Sequence, residues 1–389
     1  MKIDTLLVHR GRHPEENHGI VNPPVYHAST VTFPSVAAYE ASAKKPFEGV
    51  HYGRTGTPTT FALEEAVTAL HGGYRTVSMP SGLAAIACTM FALLRKGDHA
   101  LLSDNVYGPT RFRVANPLLA RAGVEVTFFD PLKGIGGSLR PETKVVYFEA
   151  PGSLTFEMLD VRNSAAQAKA AGATVVMDNT WASPLYFRPL EHGVDVVIEA
   201  GTKYIGGHAD VMLGTVTVAT PELHQSIKWT TNAMGSCAGP DDCYLGLRGL
   251  RTLSVRLERH QKNALELAHW LQKRPEVDRV LHPALPEDPG HALWKRDFDG
   301  ASGLFGVVLK EKYSKPAVDA LLNGMKLFGL GDSWGGYESL LIPTYPGKIR
   351  TAVKWKGPGP TLRVHAGLED PEDLIQDLEK GLKRLNAAA

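Results

Sequence analysis

Val175-Val176-Met177-Asp178-Asn179-Thr180 and Ala200-Gly201-Thr202-Lys203-Tyr204-Ile205-Gly206-Gly207-His208 are the two stretches on which the reading of this chain turns. Each is approached along a short apolar run, Thr174 to Met177 and Val194 to Ile198, that reads as a strand ending in polar residues. Open α/β sheets place their ligand sites outside the carboxyl ends of the strands, so an acid and an amine there can share a cleft. The pair suits pyridoxal 5′-phosphate. Lys203 would form a Schiff base with its aldehyde, and Asp178 would keep a proton on the pyridine nitrogen so that the ring accepts electrons. A surface lysine and an unrelated strand-end aspartate is the plain alternative that these residues alone leave open.

Composition removes several classes. The 389 residues exceed one ordinary core, at roughly 150 residues per domain, so two or three domains are expected. With 43% apolar and 21% charged residues the chain reads as a soluble globular protein. Basic and acidic residues number 42 and 41, a balance that gives no field to gather nucleic acid or an anionic membrane. Cys88, Cys237 and Cys243 lack the spacing of a zinc site or a disulfide framework, so no metal is expected and reduced thiols in a cytoplasm fit best. The start, Met1 to Arg10, holds no signal-peptide run, and the longest apolar run, Leu83 to Leu94, is too short to span a bilayer.

Three regions are expected. Residues 1–58, rich in Pro, His and Gly, form an arm without sustained periodicity that packs on a neighbouring subunit. Residues 59–240 alternate strands with helices, the rhythm of a mainly parallel sheet covered on both faces. Residues 241–389 open with one long bridging helix, Asp241 to Lys273, and continue as a smaller α+β domain. Its last helix has Asp370 as cap, Pro371 in the first turn and an apolar stripe of Leu374, Leu378, Leu382 and Leu385.

Further motifs cluster after strands. In Met79-Pro80-Ser81-Gly82-Leu83-Ala84 the first-turn amides of a helix would face an anion, with Gly82 allowing close approach and Thr202 adding a hydroxyl to the same phosphate. An ordinary βα turn is the alternative. Tyr107, in Asp104-Asn105-Val106-Tyr107-Gly108-Pro109-Thr110, could stack on a flat cofactor and meet substrate, or merely shield the core. Arg54 and Tyr52, in His51-Tyr52-Gly53-Arg54, suit a phosphate, with a solvated loop as the alternative. Arg363, within Thr361-Leu362-Arg363-Val364-His365, needs an anionic partner. The candidates are a substrate carboxylate or, structurally, Glu369 or Asp370. His208, His27 and His365 are given no role. Gly331-Asp332-Ser333-Trp334-Gly335 matches the hydrolase G-x-S-x-G string, but Gly336 to Pro343 reads as a strand where that motif requires a helix.

In this order the segments resemble the Cys/Met-metabolism family of pyridoxal-phosphate enzymes, over about Thr5 to Leu385. The most specific pieces are Tyr52-Gly53-Arg54, Asp178-Asn179-Thr180, Thr202 through His208, Gly246-Leu247-Arg248-Gly249-Leu250-Arg251-Thr252-Leu253, and Ser333-Trp334-Gly335-Gly336-Tyr337-Glu338-Ser339. The resemblance implies an α/β protein of the aspartate-aminotransferase-like fold, fold type I. Its catalytic residues would be Lys203, Tyr107 and Asp178. Tyr107, Gly82, Leu83 and Thr202 would contact the cofactor, and Tyr52 and Arg54 would reach the phosphate of the adjacent subunit. Arg363, Ser333, Trp334 and Tyr107 would bind substrate.

A catalytic dimer and, in this family, usually a homotetramer are implied by the same resemblance. Gly152-Ser153 stands where many γ-specific relatives carry an Asn, and Thr57 replaces an Asn common before the Pro. Both point to a β-lyase acting on cystathionine or a similar small sulfur amino acid. Ala200 replaces a Ser common at the phosphate, which removes one hydroxyl contact. A γ-lyase or γ-synthase is the rival within the family, and a non-catalytic binder of the cofactor the rival outside it.

Overall fold

The computed structural model describes residues 1–389. Two sheets organise it. The larger has seven strands: β1 (Arg75–Met79), β2 (His99–Ser103), β3 (Glu125–Phe129), β4 (Thr143–Glu149), β5 (Thr174–Asp178), β6 (Val196–Glu199) and β7 (Gly214–Val218), in the order β1-β7-β6-β5-β4-β2-β3. Only β7 runs against the rest, pairing antiparallel with both β1 and β6. The central strands β2, β4, β5, β6 and β7 are buried almost throughout because helices cover both faces, and their buried runs are those the sequence presents. Helices Gly82–Leu93 and Pro221–Ala233 pack on one face and helix Val161–Ala170 on the other.

The smaller sheet holds β8 (Val277–Leu281), β9 (Leu304–Leu309), β10 (Leu340–Thr344) and β11 (Thr361–His365), antiparallel in the order β10-β11-β9-β8. Helix Lys315–Asn323 and the final helix Pro371–Ala387 cover it. Asp370 caps the latter by accepting from the Glu372 amide.

Two expectations need correction. The bridging helix is two helices, Pro240–Leu250 and Leu253–Gln272. The Gly249 carbonyl is taken by Arg256 Nη2 at 2.7 Å, and a side chain on Gly249 would strike the Ile205 and Gly206 carbonyls. The helix end therefore seats directly on the loop that includes Lys203. The arm, read as irregular, contains helices Ile3–His9 and Val36–Ala43. The second buries none of its residues within this chain.

Because β1, β2, β4, β5 and β6 run the same way, their carboxyl ends meet at one edge. That edge carries Ser81-Gly82, Asp104 to Tyr107, Glu149, Asp178 and the loop from Ala200 to Lys203. Register aligns Glu149 with Asp178 and Asp178 with Ile198 across neighbouring strands.

Candidate active site

Asp178 lies deep at this edge with a fraction of its surface open to the cleft. Its Oδ1 accepts from the Thr180 amide at 2.9 Å and from the Thr180 hydroxyl, and Tyr147 donates weakly to Oδ2 at 3.5 Å. No cation pairs with it. Burial pushes the carboxyl up, only partly offset by the Thr180 bonds. A protonated ring nitrogen is the partner that such an acid lacks.

Lys203 comes after β6. Its Nζ donates to Ser333 Oγ at 2.6 Å and sits 5.4 Å from the Trp334 ring centre, without an ion pair. Burial, then the Arg363 guanidinium, lowers the amine to about 8, while Asp178 and Asp332 pull the other way. The loop bearing Ser333 presses against this residue. A side chain on Gly335, at φ +85°, would come within 3.0–3.1 Å of the Lys203 backbone and Cβ. Ser333 itself holds φ +75°, a region that non-glycine residues rarely enter.

Arg363, on β11, donates from Nη2 to the Ser333 carbonyl at 2.9 Å and has no acid partner. Both structural candidates are engaged elsewhere: Glu369 accepts from Ser339, and Asp370 caps its helix. A largely buried guanidinium without a counter-ion is costly, so Arg363 is free to take an anionic partner. His365, given no role from the sequence, grips the same loop two residues further along. Its Nε2 lies 3.1 Å from both the Gly335 amide and the Gly336 carbonyl, and burial with His260 beside it keeps it neutral, at about 3.

Tyr107 has a half-exposed ring, and its hydroxyl titrates above its usual range through burial, then through Glu149 and Asp178, with Arg363 opposing. The structure thus gathers Asp178, Lys203, Tyr107, Ser333, Trp334 and Arg363 in one cleft. Glu149, which the sequence reading missed, accepts from the Tyr107 amide and, at 2.6 Å, from Ser153 Oγ. Burial and then Asp178 raise it strongly. The available signal was that β4, like β5, ends on an acid.

Beside the Ala200 loop, Ser81 caps helix Gly82–Leu93 by accepting from the Ala84 amide, which leaves the Gly82 and Leu83 amides as free donors. A side chain on Gly82 would meet the Ala200 Cβ at 2.6 Å. Thr202 is already occupied. Its hydroxyl donates to the Leu213 carbonyl at 3.1 Å and accepts from the Leu213 amide at 2.9 Å, so a phosphate would meet only its remaining lone-pair side unless it turned. Tyr52 and Arg54 bond elsewhere in this chain: Arg54 to the Asn232 carbonyl at 2.7 Å, and Tyr52 to Ser29 Oγ at 3.4 Å.

An unpaired buried acid, an amine of lowered basicity and free helix amides fit pyridoxal phosphate. The chain belongs to the Cys/Met metabolism PLP-dependent enzyme family, whose model matches residues 4–383, and it is a pyridoxal-phosphate enzyme of fold type I. It is 49% identical to a Rhizobium johnstonii protein provisionally named a cystathionine beta-lyase, over 99% of this chain and 97% of that one. It is 41% identical to the cystathionine beta-lyase MetC of Escherichia coli (strain K12), over 99% of both chains. A crystal structure of cystathionine gamma synthase from Xanthomonas oryzae pv. oryzae, in complex with cystathionine, superposes with a TM-score of 0.91 at 33% identity, covering 100% of both chains.

Proposed function

We propose that the protein is a carbon–sulfur β-lyase that converts L-cystathionine and water to homocysteine, pyruvate and ammonia, a step toward methionine. The observation that carries this is the meeting of Lys203, Asp178 and the unpaired Arg363 in one cleft. Relatives of 41–49% identity that bear the β-lyase name support the choice of bond.

Bound pyridoxal phosphate supplies an electron sink for the substrate's α-carbon. Arg363 takes the α-carboxylate and fixes which face of that carbon is presented. Lys203 Nζ, held by Ser333 and poised near neutrality, removes the α-proton. Asp178, which has no cation partner of its own, would keep the ring nitrogen protonated. Tyr107 would lie against the ring, and the free Gly82 and Leu83 amides would hold the phosphate, with Thr202 joining them only if its hydroxyl turned away from Leu213. Ser333 and Trp334, both beside Lys203, would help Arg363 hold the substrate.

Tyr52 and Arg54 act across a subunit boundary in this reading, so the working unit is a dimer within a cytoplasmic homotetramer. The helix Val36–Ala43, which buries none of its residues within its own chain, supports that view. No helix is long and apolar enough to cross a membrane.

Incubation of the holoenzyme with L-cystathionine, with both keto acids quantified, tests the reading. Pyruvate with homocysteine is expected. Formation of 2-oxobutanoate with cysteine would move the protein to the γ-class, and bound cofactor without turnover would make it a binder.

A further inference from the structure

We propose that Asp104, Arg111 and Arg350 form a buried clamp by which the segment between β10 and β11 positions Tyr107, so that Asp104 and Arg350 are positioning residues of the active site. The inference rests on the reading of Tyr107 as the ring that covers the coenzyme.

Asp104 stands directly after β2, three positions before Tyr107, and its side chain is wholly buried. Arg111 Nη2 donates to Asp104 Oδ1 at 2.6 Å and to the Asp104 carbonyl at 3.0 Å. Arg350 Nε reaches Oδ2 at 3.3 Å, and the Thr351 and Val353 amides donate at 3.0 and 2.9 Å. One carboxylate thereby joins two distant parts of the chain. Burial alone would raise that carboxyl. The Thr351, Ala352 and Val353 amides and Arg111 outweigh it and hold it below its usual range, so it is an anion.

The connection to Tyr107 is short and stiff. The Arg111 amide bonds the Tyr107 carbonyl at 3.3 Å, so the guanidinium that grips Asp104 and the turn that presents Tyr107 are one unit. The Arg111 guanidinium also lies 3.5 Å over the Phe128 ring and donates to Thr351 Oγ1 at 2.9 Å. Arg350 extends the clamp with its Nη1, 2.6 Å from Glu157 Oε1. Glu157 Oε2 in turn accepts from Asn105 at 3.3 Å, and the Asn105 carbonyl takes the Ser153 amide at 2.8 Å. Both sides of the Tyr107 turn are therefore tied down, one to the smaller domain and one to the loop after Glu149.

Two guanidiniums and the Asp104 carboxylate removed from water, with Glu157 partly so, carry a large desolvation penalty that apolar side chains filling the same space would not. What the charges give in return is fixed geometry, since each planar guanidinium bonds in only a few orientations. Arg350 Nη2 is left buried without a partner, a cost that packing for stability alone would not retain.

The test is a double-mutant cycle on the holoenzyme, with Arg350→Gln in the native and Tyr107→Ala backgrounds. It tracks kcat/KM for L-cystathionine and the dissociation constant of pyridoxal phosphate. Arg350→Gln should lower kcat/KM by on the order of 10²-fold, the scale of a misplacement of about 1 Å. It should have almost no further effect once Tyr107 is gone. Losses that multiply would overturn the proposal.

Hydrogen exchange on the coenzyme-free protein gives an independent reading: peptides covering 104–111 should exchange faster in Arg350→Gln while β5 and β6 are unchanged. Unaltered exchange there would also overturn it. Should Arg350→Gln fail to fold, Arg350→Lys keeps the charge but loses the fork and enters the same two measurements. If Tyr107→Ala alone leaves turnover intact, the role given to Tyr107 is wrong, and the exchange measurement still decides whether the clamp holds the turn.

Discussion

Lys203 is the residue whose chemistry is most exposed to test. Only the free amine attacks an aldehyde, and its environment brings the amine down from 10.5 to about 8. Uptake of pyridoxal phosphate by the coenzyme-free protein should therefore rise with pH to a midpoint near 8, well below that of an ordinary lysine, and a midpoint above 10 would refute the account of its surroundings. Asp178→Asn should still fold and bind coenzyme but lose on the order of 10²-fold or more in kcat, since an amide holds no ring proton. Unchanged turnover in a folded variant would remove that role. Arg363→Ala should raise KM for cystathionine by on the order of 10-fold or more, as expected when one partner of a buried charge pair is lost, and steady-state kinetics decide it.

At the level of elements, the path from sequence to site is unequal. The central strands β4, β5 and β6 of the large sheet were legible because a strand buried on both faces has no polar side to interrupt its apolar run. Asp178 and Lys203 were legible because polar residues that close such runs have to lie at the sheet edge. The Ser333 contact to Lys203 was not, since it joins residues far apart in the chain through a loop with no periodicity of its own. The wide π-type helix Thr110–Leu119 was hidden too, because Pro117 inside it argues against any helix. The break near Arg251 escaped notice for a third reason: the Arg256 guanidinium that takes the Gly249 carbonyl also holds the distant Tyr204 carbonyl, a tertiary tie with no local signal. Close approach yields a prediction at this scale. Gly82→Ala would drive a methyl group into Ala200, so it should destabilise the protein by about 1–3 kcal/mol and weaken coenzyme binding. Thermal unfolding and a coenzyme titration check both, and an unperturbed variant would mean that the β1 turn and the Ala200 loop are not packed as described.

For the whole molecule, the decisive question is what one chain lends another. Val36 and Tyr39 lie exposed on an arm helix with no buried residue, and Arg54 in the same arm makes no bond to the Lys203 cleft of its own chain. If Arg54 serves the neighbouring subunit, chains carrying Lys203→Ala and chains carrying Arg54→Ala, each inactive alone, should regain activity after subunit exchange. One site in the mixed dimer then has both groups intact. No recovery, with exchange verified by mass, would confine the site to one chain. The assigned chemistry depends on one covalent attachment. Borohydride reduction of the holoenzyme and then peptide mapping should place the pyridoxyl group on Lys203 and nowhere else, and a label on any other lysine would contradict it.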